Sequence, residues 1–513
     1  MKKLPIGIQT FKDIRTENYV YIDKTAIAQQ LIHRGRYYFL SRPRRFGKSL
    51  FLDTLKDIFE AKKNLFKGLD IYDQWDWKTA YPVIKISFSA GVHTDLEGLN
   101  KSILYLLKSN QKRLNIHCEE SHDAKTCFAD LIEAAYEKYG KVVILIDEYD
   151  KPILDNITHK KVAKIMRDHL KNIYSVIKDN DAYLKFVFIT GVSKFSKVNL
   201  FSGLNNLEDI TIDARYATIC GYTQHDLETS FKSHLKGVDK QQLKDWYNGY
   251  FYLGDKVYNP FDILLFIAKG GIFRAYWWST GNPNFLIKLL QQNKYYIPTL
   301  TTLEVDDVLL DSFDVEQIDL VALLWQTGYL SIEKYRQGMF GAVYQLKIPN
   351  REIRISLNRL FINYLTTQTI EVIPYQQSLY QSLKAADMQA LEAFLQRLFA
   401  SIPYNNFTNN TLQNYEGFYA SVMYAYLASL GFELIAEDTT NHSRIDITLK
   451  LNHLIYLFEI KAVEQATGEA LSQIKTRQYA TKYQGLGNTV YCVGVEFCKQ
   501  QRNVCLFEWE KIS

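Results

Sequence analysis

The residues from Arg42 to Ser49 form a loop whose composition suits phosphate binding. They read Arg-Pro-Arg-Arg-Phe-Gly-Lys-Ser and lie between an apolar stretch and a helical pattern. Main-chain N–H groups at a helix N-terminus bind phosphate oxygens. Lys48 is predicted to reach the β- and γ-phosphates and Ser49 to bind Mg²⁺, while Gly47 leaves room for the phosphate. Arg42 occupies the position of the usual first glycine, and a Gly-Lys-Ser tripeptide alone commonly occurs by chance.

Two adjacent acids end a buried-type strand further along the chain. The β-branched run 142–146 is followed directly by Asp147 and Glu148. Asp147 is predicted to hold Mg²⁺, usually through water, and Glu148 to polarise the attacking water. The alternative is a buried strand whose end simply reaches solvent. The loop and the acid pair together favour a nucleotide site.

Polar residues after the strand 185–190 are candidates for contact with the γ-phosphate, namely Thr190 and Ser193. A strand followed by a plain turn explains them equally well. The loop side chains Arg42, Arg44, Arg45 and Phe46 are assigned to the same nucleotide site. The arginines could stabilise transferred phosphate charge or contact a partner, and solvated surface arginines are the alternative.

A second set of chemistry-bearing residues lies near the C-terminal end, in the segment 443–461. It predicts a hairpin with its turn near 451–454, in which Asp446 comes close to Glu459 and Lys461 is adjacent. Burying two acids and a lysine in apolar strands is costly without a purpose. Two carboxylates suit Mg²⁺ or Mn²⁺, and Lys461 could orient water or stabilise a transition state. Cross-strand ion pairing on an exposed face is the alternative.

Residues in two flanking helices could complete this second set. Glu416 could supply a third acid from the preceding helix, and Gln473 lies in the helix that follows the hairpin. From Gln473 the sequence continues with interleaved bases and aromatics, which suits a phosphodiester backbone. A solvated amphipathic face is the alternative, and it is preferred for Lys475 and Lys482.

These residues require layered α/β elements to position them, and the chain divides into three blocks. Block one (1–235) alternates strands with helices, which predicts a parallel-sheet domain; its strands are 37–40, 82–88, 142–146 and 185–190, and its helices 48–59, 96–114, 125–139 and 159–178. Block two (236–375) is predicted to be a mostly helical lid and connector. Block three (376–513) is a smaller α/β domain; its helices are 376–401, 415–430 and 469–483, and its strands 445–451, 455–462 and 490–495.

The overall composition excludes several classes of protein. Ten Pro and 25 Gly in 513 residues exclude a collagen-like or largely disordered chain. The net charge of +5, from 61 basic and 56 acidic residues, permits nucleic-acid binding without arguing for it. Six scattered cysteines, at 118, 127, 220, 492, 498 and 505, fit no zinc spacing and predict free thiols in a reducing compartment. Neither a signal peptide nor an apolar run of membrane-spanning length is apparent, so a cytoplasmic location is expected.

The motifs resemble those of the bacterial AAA-ATPase-like proteins that carry a C-terminal domain of the PD-(D/E)xK nuclease superfamily. The resemblance spans nearly the whole chain and rests on 4–11, 21–25, 42–49, 146–152, 190–196, 246–250 and 276–281. Arg42 fits the loop of this family. The superfamily's acid–acid–x–lysine pattern falls on Asp446, Glu459 and Lys461, with Glu416 matching an upstream helical acid and Gln473 a downstream residue. The resemblance implies a P-loop NTPase fold, ATP binding and a restriction-endonuclease-like fold, without establishing cleavage.

The leading hypothesis is an ATP-dependent or ATP-regulated nuclease with Mg²⁺ at the ATP site and Mg²⁺ or Mn²⁺ at the second site. ATP binding would move block two and so gate the metal site. DNA is the expected substrate, with RNA as the alternative, and a homo-oligomer is compatible with the sequence. A role in mobile elements or phage defence is plausible for this architecture. The competing hypotheses are a nucleotide-switched regulatory or scaffold protein that binds without cutting, and a plain ATPase with a structural appendage.

Overall fold

The fold is taken from a computed structural model of the full chain. It describes residues 1–117, 122–194, 206–280, 303–311, 318–339, 341–366, 372–402, 416–440, 443–484 and 487–512. Cys118, residues 195 and 196 of one motif, Gly281 of another and the predicted helix start at 415 lie outside these ranges.

The chain divides into two compact units. The first is Met1–Phe285 with Glu304–Asn350, and the second is Leu286–Leu303 with Arg351–Ser513. The predicted boundary at 235 does not coincide with this division, because the first unit continues to Asn350. The assignment of 1–235, 236–375 and 376–513 to ATPase, connector and nuclease-like roles stays a prediction.

A parallel sheet forms the centre of the first unit. Its strands are β1 (Tyr37–Ser41), β2 (Val83–Ser87), β3 (Val142–Asp147), β4 (Leu184–Gly191) and β5 (Glu208–Asp209), in the order β2-β3-β4-β1-β5. Every residue of β1 and β3 is buried, as is typical of parallel strands covered on both faces. The carboxyl ends of β1, β3 and β4 therefore meet at one edge of the sheet.

Ten helices of this unit are α1 (Phe11–Thr16), α2 (Thr25–Arg34), α3 (Lys48–Phe59), α4 (Leu96–Leu114), α5 (Ala124–Tyr139), α6 (Lys151–Leu154), α7 (Lys160–Asp179), α8 (Gln224–Thr229), α9 (Lys240–Tyr247) and α10 (Pro260–Ala268). The four helices predicted for block one are found among them within a few residues of their expected bounds, as α3, α4, α5 and α7. Asp95 and Asp123 begin α4 and α5 by accepting N–H groups of the first turn.

A three-stranded sheet within the predicted helical connector was not anticipated from the sequence. Its strands are β6 (Leu303–Asp306), β7 (Ser331–Gly338) and β8 (Gly341–Lys347), in the order β6-β8-β7. Two further helices, Asp307–Asp311 and Leu320–Thr327, lie between β6 and β7 in the sequence. The helix Leu320–Thr327 is mostly buried, so it belongs to the core of this unit.

The second unit is built on a mixed sheet in the order β13-β12-β11-β10-β9. The strands are β9 (Glu433–Thr439), β10 (Arg444–Leu451), β11 (Leu454–Val463), β12 (Thr489–Cys498) and β13 (Asn503–Ile512). Only β11 and β12 pair in parallel among these described strands, and the helix Glu469–Thr476 connects them. The remaining helices are Arg351–Thr366, Val372–Ala385, Met388–Ala400 and Glu416–Ser429.

Two helices predicted to be continuous are interrupted. The predicted helix 376–401 is split at Ala386, whose φ is 51°, and Asp387 then caps the next helix. The predicted helix 469–483 ends at Thr476, and after Gln478, with φ at 52°, only a 3-10 helix (Tyr479–Tyr483) follows. Left-handed residues other than glycine carry a weak sequence signal, so neither break was predicted. The predicted fold class is otherwise confirmed.

Candidate functional site

A cavity of about 470 Å³ opens at the carboxyl edge of the parallel sheet. Its lining includes most of the predicted nucleotide-binding residues: Arg44, Arg45, Phe46, Gly47, Lys48, Ser49 and Glu148. Asp150 and aromatic residues from later in the unit, such as Phe261, Trp277 and Tyr329, also line it. The size and the mixture of charged and aromatic groups suit a small phosphorylated ligand.

Lys48 begins α3 and is held inside the loop. Its Nζ donates to the carbonyl oxygens of Arg42 at 2.8 Å and of Pro43 at 2.9 Å. Burial lowers the pKa of Lys48, and nearby carboxylates, Asp147 first, act in the opposite direction. Gly47 precedes it with φ at 98°, a conformation that disfavours other residues. The loop therefore places a buried ammonium group at the start of a helix that has no side-chain cap in the described residues.

The two acids after β3 occupy different environments. Asp147 is 2% exposed, and no hydrogen-bond partner of its Oδ1 is found within the described ranges. Glu148 lines the cavity in the left-handed region, with φ at 52°. Burial raises the pKa of Glu148, the charge of Asp147 raises it further, and Lys48 opposes both. A buried carboxylate oxygen of this kind, near enough to Lys48 to counteract the lowering of its pKa by burial, fits a hard divalent cation.

Thr190 and Ser193 lie beside the acids but not on the cavity lining. The β3–β4 register pairs Ile146 with Ile189, so Thr190 follows next to Asp147. In the described part of the chain, Thr190 Oγ1 is buried without a hydrogen-bond partner. Ser193 instead donates its hydroxyl to Asp150 at 2.6 Å. Its hydroxyl is thus engaged by a protein carboxylate.

Arg42 is placed differently from the prediction. Its side chain is 1% exposed and points into the core, where it donates to the carbonyl oxygen of Thr211 at 2.8 Å and lies 3.6 Å from the Tyr252 ring centre. The Arg42 side chain does not line the cavity. Its contribution to the loop is its carbonyl oxygen, which accepts a hydrogen bond from Lys48 Nζ. The match to a loop motif could not reveal the direction of this side chain.

In the second unit, the β10–β11 hairpin brings the two predicted acids together. Leu451 pairs with Leu454 and Ile447 with Phe458, and the next step of this register sets Asp446 opposite Glu459. Asp446 Oδ2 accepts the main-chain N–H of Ile460 at 2.8 Å. Glu459 is 1% exposed, and its Oε2 has no hydrogen-bond partner in the described residues.

Lys461 connects the acid pair to the preceding helix. Its Nζ lies 3.4 Å from Glu459 Oε1 and 3.5 Å from Glu416 Oε1. Burial alone would lower the pKa of Lys461, but Glu416, Glu459 and Asp446 raise it overall. The lysine is therefore charged and shared between carboxylates, as the predicted arrangement requires.

Gln473 reaches Glu459 from the helix Glu469–Thr476, donating its amide to Glu459 Oε1. Burial raises the pKa of both Asp446 and Glu459, and the charge of Asp446 further raises that of Glu459. The structure thus gathers Asp446, Glu459, Lys461, Glu416 and Gln473 at one place. Two adjacent carboxylates fit a divalent cation, and Glu459 Oε2, which has no hydrogen-bond partner in the described residues, is available to bind it.

The region after Gln473 differs from the predicted basic and aromatic surface, although Arg477 remains exposed. Tyr479 and Tyr483 are buried in the hydrophobic core of the unit and have no exposed ring face for a base. Lys475 pairs with Glu510 at 2.6 Å, and Lys482 pairs with Asp438. The solvated-face alternative therefore describes these two lysines.

Searching the described parts of the chain finds no cluster of three or more His, Cys, Asp or Glu side chains suited to a metal. A cation in the second unit would therefore rest on Asp446 and Glu459 with water or substrate oxygens. The described cysteines at 127, 220, 492, 498 and 505 are free thiols, and none belongs to such a cluster.

Comparison with known proteins gives matches at both ends of the chain. Residues 5–201 match a family model described as a predicted AAA-ATPase, and residues 414–507 match the PD-(D/E)XK nuclease superfamily. An uncharacterized protein encoded in the vnfD 5′ region of Azotobacter chroococcum mcd 1 is 46% identical over 515 residues, which cover 100% of this chain and 99% of that protein. The chain belongs to the AAA-ATPase-like proteins with a PD-(D/E)XK domain.

This membership confirms the resemblance drawn from the motifs. The AAA-ATPase-like match contains the loop, the acid pair and β4, and the PD-(D/E)XK match contains the hairpin with Glu416 and Gln473. Within the described helices of this AAA-ATPase-like chain, none is long and apolar enough to span a bilayer.

Sequence reasoning missed three residues that support the sites of this AAA-ATPase-like chain. Asp150 binds the turn after β4, Trp277 donates its indole N–H to the carbonyl oxygen of Arg44 at 2.9 Å, and Glu496 caps the helix that carries Gln473. Asp150 and Trp277 lay within motifs that were recognised, so their types were visible. Their partners are 42 to 233 residues away, and no local pattern links them.

Proposed function

We propose that this chain is an ATP-dependent or ATP-regulated, metal-dependent nuclease that acts on DNA. The observation that carries the proposal is the convergence of Asp446, Glu459 and Lys461 in a unit that belongs to the PD-(D/E)XK superfamily. Burying two acids and a lysine together at a strand end costs desolvation free energy. Such a cost is expected where the residues have a function.

In the first unit, Lys48, Ser49 and the main-chain N–H groups after Gly47 would hold the phosphates of ATP. Asp147 and Ser49 would hold Mg²⁺, which neutralises phosphate charge when bound. Glu148 lines the cavity and would orient the attacking water. The exposed Arg44 and Arg45 would contact phosphate oxygens. Thr190 is close to Asp147 and would sense the γ-phosphate.

In the second unit, Asp446 and Glu459 would hold Mg²⁺ or Mn²⁺. The cation, when bound, lowers the pKa of a coordinated water and neutralises charge on a phosphodiester. Lys461 would hold that water or stabilise the developing charge, and Gln473 fixes the orientation of Glu459. Glu416 keeps Lys461 charged from the side of the helix Glu416–Ser429.

The broader setting belongs to the same proposal. Residues 236–375 would act as the connector whose motion follows the nucleotide state. A cytoplasmic location agrees with free thiols at the described cysteines. DNA is proposed over RNA on family membership, and assembly into a homo-oligomer is compatible with it.

The test incubates the purified chain with supercoiled and linear DNA and with RNA, with Mg²⁺ or Mn²⁺, and with or without ATP. We expect metal-dependent cleavage of DNA that Asp446→Ala abolishes, and in Lys48→Ala we expect ATP to have no effect on cleavage. Glu464→Gln, on an exposed side chain paired with Lys499, serves as the matched control. Absence of cleavage in every condition contradicts nuclease activity, and cleavage that survives Asp446→Ala contradicts the site.

One observation favours the second candidate, a nucleotide-switched regulatory or scaffold protein. The lysines after Gln473 are paired with acids, and the tyrosines there are buried, which removes one expected contact surface for a nucleic-acid backbone. In that case, the second unit would bind nucleic acid or protein without cutting. Retention of labelled DNA or of protein partners in an ATP-dependent manner, without cleavage, would support it.

A further inference from the structure

Asp150 is a buried carboxylate at the nucleotide cavity that the proposed reaction does not yet use. It is 1% exposed and lies at the N-terminal end of α6, three residues after Asp147. It also lines the cavity together with Lys48 and Val192. A carboxylate is seldom buried unless donors or cations compensate its charge.

One oxygen of Asp150 binds the turn that follows β4. Asp150 Oδ2 accepts the main-chain N–H groups of Val192 at 3.0 Å and Ser193 at 2.6 Å, and the Ser193 hydroxyl at 2.6 Å. Burial raises the pKa of Asp150, and the hydrogen bonds from Ser193 act in the opposite direction by stabilising the ionised form. This oxygen therefore fixes two consecutive residues directly after Thr190 and Gly191.

Tyr149 reinforces the same connection. Its main-chain N–H donates to the carbonyl oxygen of Thr190 at 3.2 Å, and its hydroxyl donates to the carbonyl oxygen of Ser193 at 2.8 Å. We call Tyr149, Asp150, Val192 and Ser193 the β3–β4 latch. The latch ties the segment carrying Asp147 and Glu148 to the end of the neighbouring strand.

The approach of Asp150 depends on Gly191. A Cβ atom at Gly191 would lie 2.5 Å from Asp150 Oδ1 and equally close to the Tyr149 ring, so no other residue fits without a shift. In the described chain, Oδ1 has no hydrogen-bond partner. An amide side chain could supply the turn with an acceptor at a lower desolvation cost, so a purely structural latch gives no reason for an ionisable group here.

The turn held by the latch continues to the far wall of the cavity. The main-chain N–H of Lys194 donates to Gln326 Oε1 at 2.8 Å, and Gln326 lies in the helix Leu320–Thr327. Thr327, the last residue of that helix, lines the cavity, as does Val192. The position of the turn is therefore linked to two separate parts of the cavity wall.

We propose that Asp150 is a positioning residue for γ-phosphate recognition, an inference that rests on the proposed ATP binding. Through the latch it sets the position of Val192, which lines the cavity, and of the strand end that carries Thr190. Ser193 was a candidate for contact with the nucleotide, but its hydroxyl donates to Asp150. The latch thus helps to distinguish ATP from ADP, whereas the main-chain N–H groups of the loop bind phosphates common to both.

The test measures dissociation constants of fluorescent ATP and ADP analogues, with Mg²⁺, for the full chain and for Asp150→Asn. The wild-type chain is expected to bind ATP more tightly than ADP. Asp150→Asn is expected to weaken ATP binding about tenfold, in the range seen for supporting residues, with ADP binding unchanged. Ser193→Ala should show a smaller loss, and the double variant no more than Asp150→Asn alone. Asp168→Asn, an exposed position on α7, is the matched control.

Several outcomes overturn the inference. Equal loss of ATP and ADP affinity in Asp150→Asn assigns the residue a structural role only, and wild-type affinity for both nucleotides removes any role. A wild-type chain that binds both nucleotides equally well overturns the latch but leaves nucleotide binding intact. A wild-type chain that binds neither contradicts the proposed function itself. If Asp150→Asn fails to fold, the same measurement on Ser193→Ala replaces it. A wild-type ratio of the ATP and ADP dissociation constants in Ser193→Ala then overturns the inference.

Discussion

The indole N–H of Trp277 donates to the carbonyl oxygen of Arg44 at 2.9 Å, across 233 residues of sequence. Trp277 is itself fixed, since its main-chain N–H donates to Asp262 Oδ1 at 2.8 Å and its ring contacts Tyr329. The phosphate-binding loop is therefore held from outside the segment that carries its motif.

Removing this contact should loosen the loop. Trp277→Phe keeps a large ring but deletes the donor, and the loss of one hydrogen bond of about 1 kcal/mol corresponds to roughly fivefold weaker nucleotide binding. Titration with a fluorescent nucleotide measures the change. Trp509→Phe, a half-exposed position in the second unit, is the control. Wild-type affinity in Trp277→Phe would show that the loop holds its conformation unaided.

The acid pair in the second unit should make stability depend on pH in an unusual direction. Burial raises the folded-state pKa of Asp446 and Glu459 above the ordinary carboxyl range of about 4. As pH rises above that range, the unfolded chain releases protons that the folded chain retains, so the folded state loses stability until it too is ionised.

Melting temperatures in EDTA, measured from acidic to mildly alkaline pH, check this expectation. The wild-type chain should lose stability with rising pH relative to the variant Asp446→Asn/Glu459→Gln. Addition of Mg²⁺ or Mn²⁺ at the alkaline end should restore the wild type only, because a bound cation neutralises the ionised pair. Parallel pH profiles for the two proteins would contradict the burial of ionisable acids at this site.

Glu496 should control the metal site without touching it. Its carboxylate accepts the main-chain N–H groups of Thr467 at 2.7 Å and Ala470 at 3.2 Å, and so fixes the start of the helix that carries Gln473. Burial disfavours ionisation of Glu496, but these hydrogen bonds outweigh it and lower its pKa. Glu496→Gln is expected to weaken metal binding by about 10–100-fold.

Isothermal titration with Mn²⁺ measures that loss, and Glu464→Gln, whose side chain is 67% exposed, should leave binding unchanged. A second substitution, Thr467→Ala, separates helix capping from general destabilisation, because it removes a hydroxyl donor to the same carboxylate but keeps the charge. Unchanged Mn²⁺ affinity in Glu496→Gln would show that Gln473 is positioned by other contacts.

The features that could be predicted from the sequence were those whose residues are contiguous or nearly so. The run 142–146 followed by two acids, and the loop before α3, are contiguous, so strand, loop and helix could be assigned together. The hairpin with its turn near 451–454 was predicted from the contiguous segment 443–461, and the structure pairs Leu451 with Leu454. Asp446 and Glu459 could then be brought together by counting residues, since side chains alternate along a strand.

Features that depend on distant partners could not be predicted. The direction of Arg42 follows from the carbonyl oxygen of Thr211 and the ring of Tyr252, neither of which the loop motif reveals. The pairing of Lys475 with Glu510 cancels a charge that looked free in the sequence. The three-stranded sheet and the left-handed residues Ala386 and Gln478 likewise reflect tertiary context over local preference.

The contacts around the phosphate-binding loop determine which truncated fragments of the chain keep the loop supported. A fragment ending at residue 235 would keep Gly47, Lys48 and Ser49 but lose the supports of the loop. Four of them lie later in the first unit: the ring edge of Tyr250 on Phe46, Tyr252 beneath Arg42, Trp277 on Arg44 and Gly328 against Pro43. The loop therefore depends on residues as late as Gly328, and grafting or truncation must keep the loop together with these four supports.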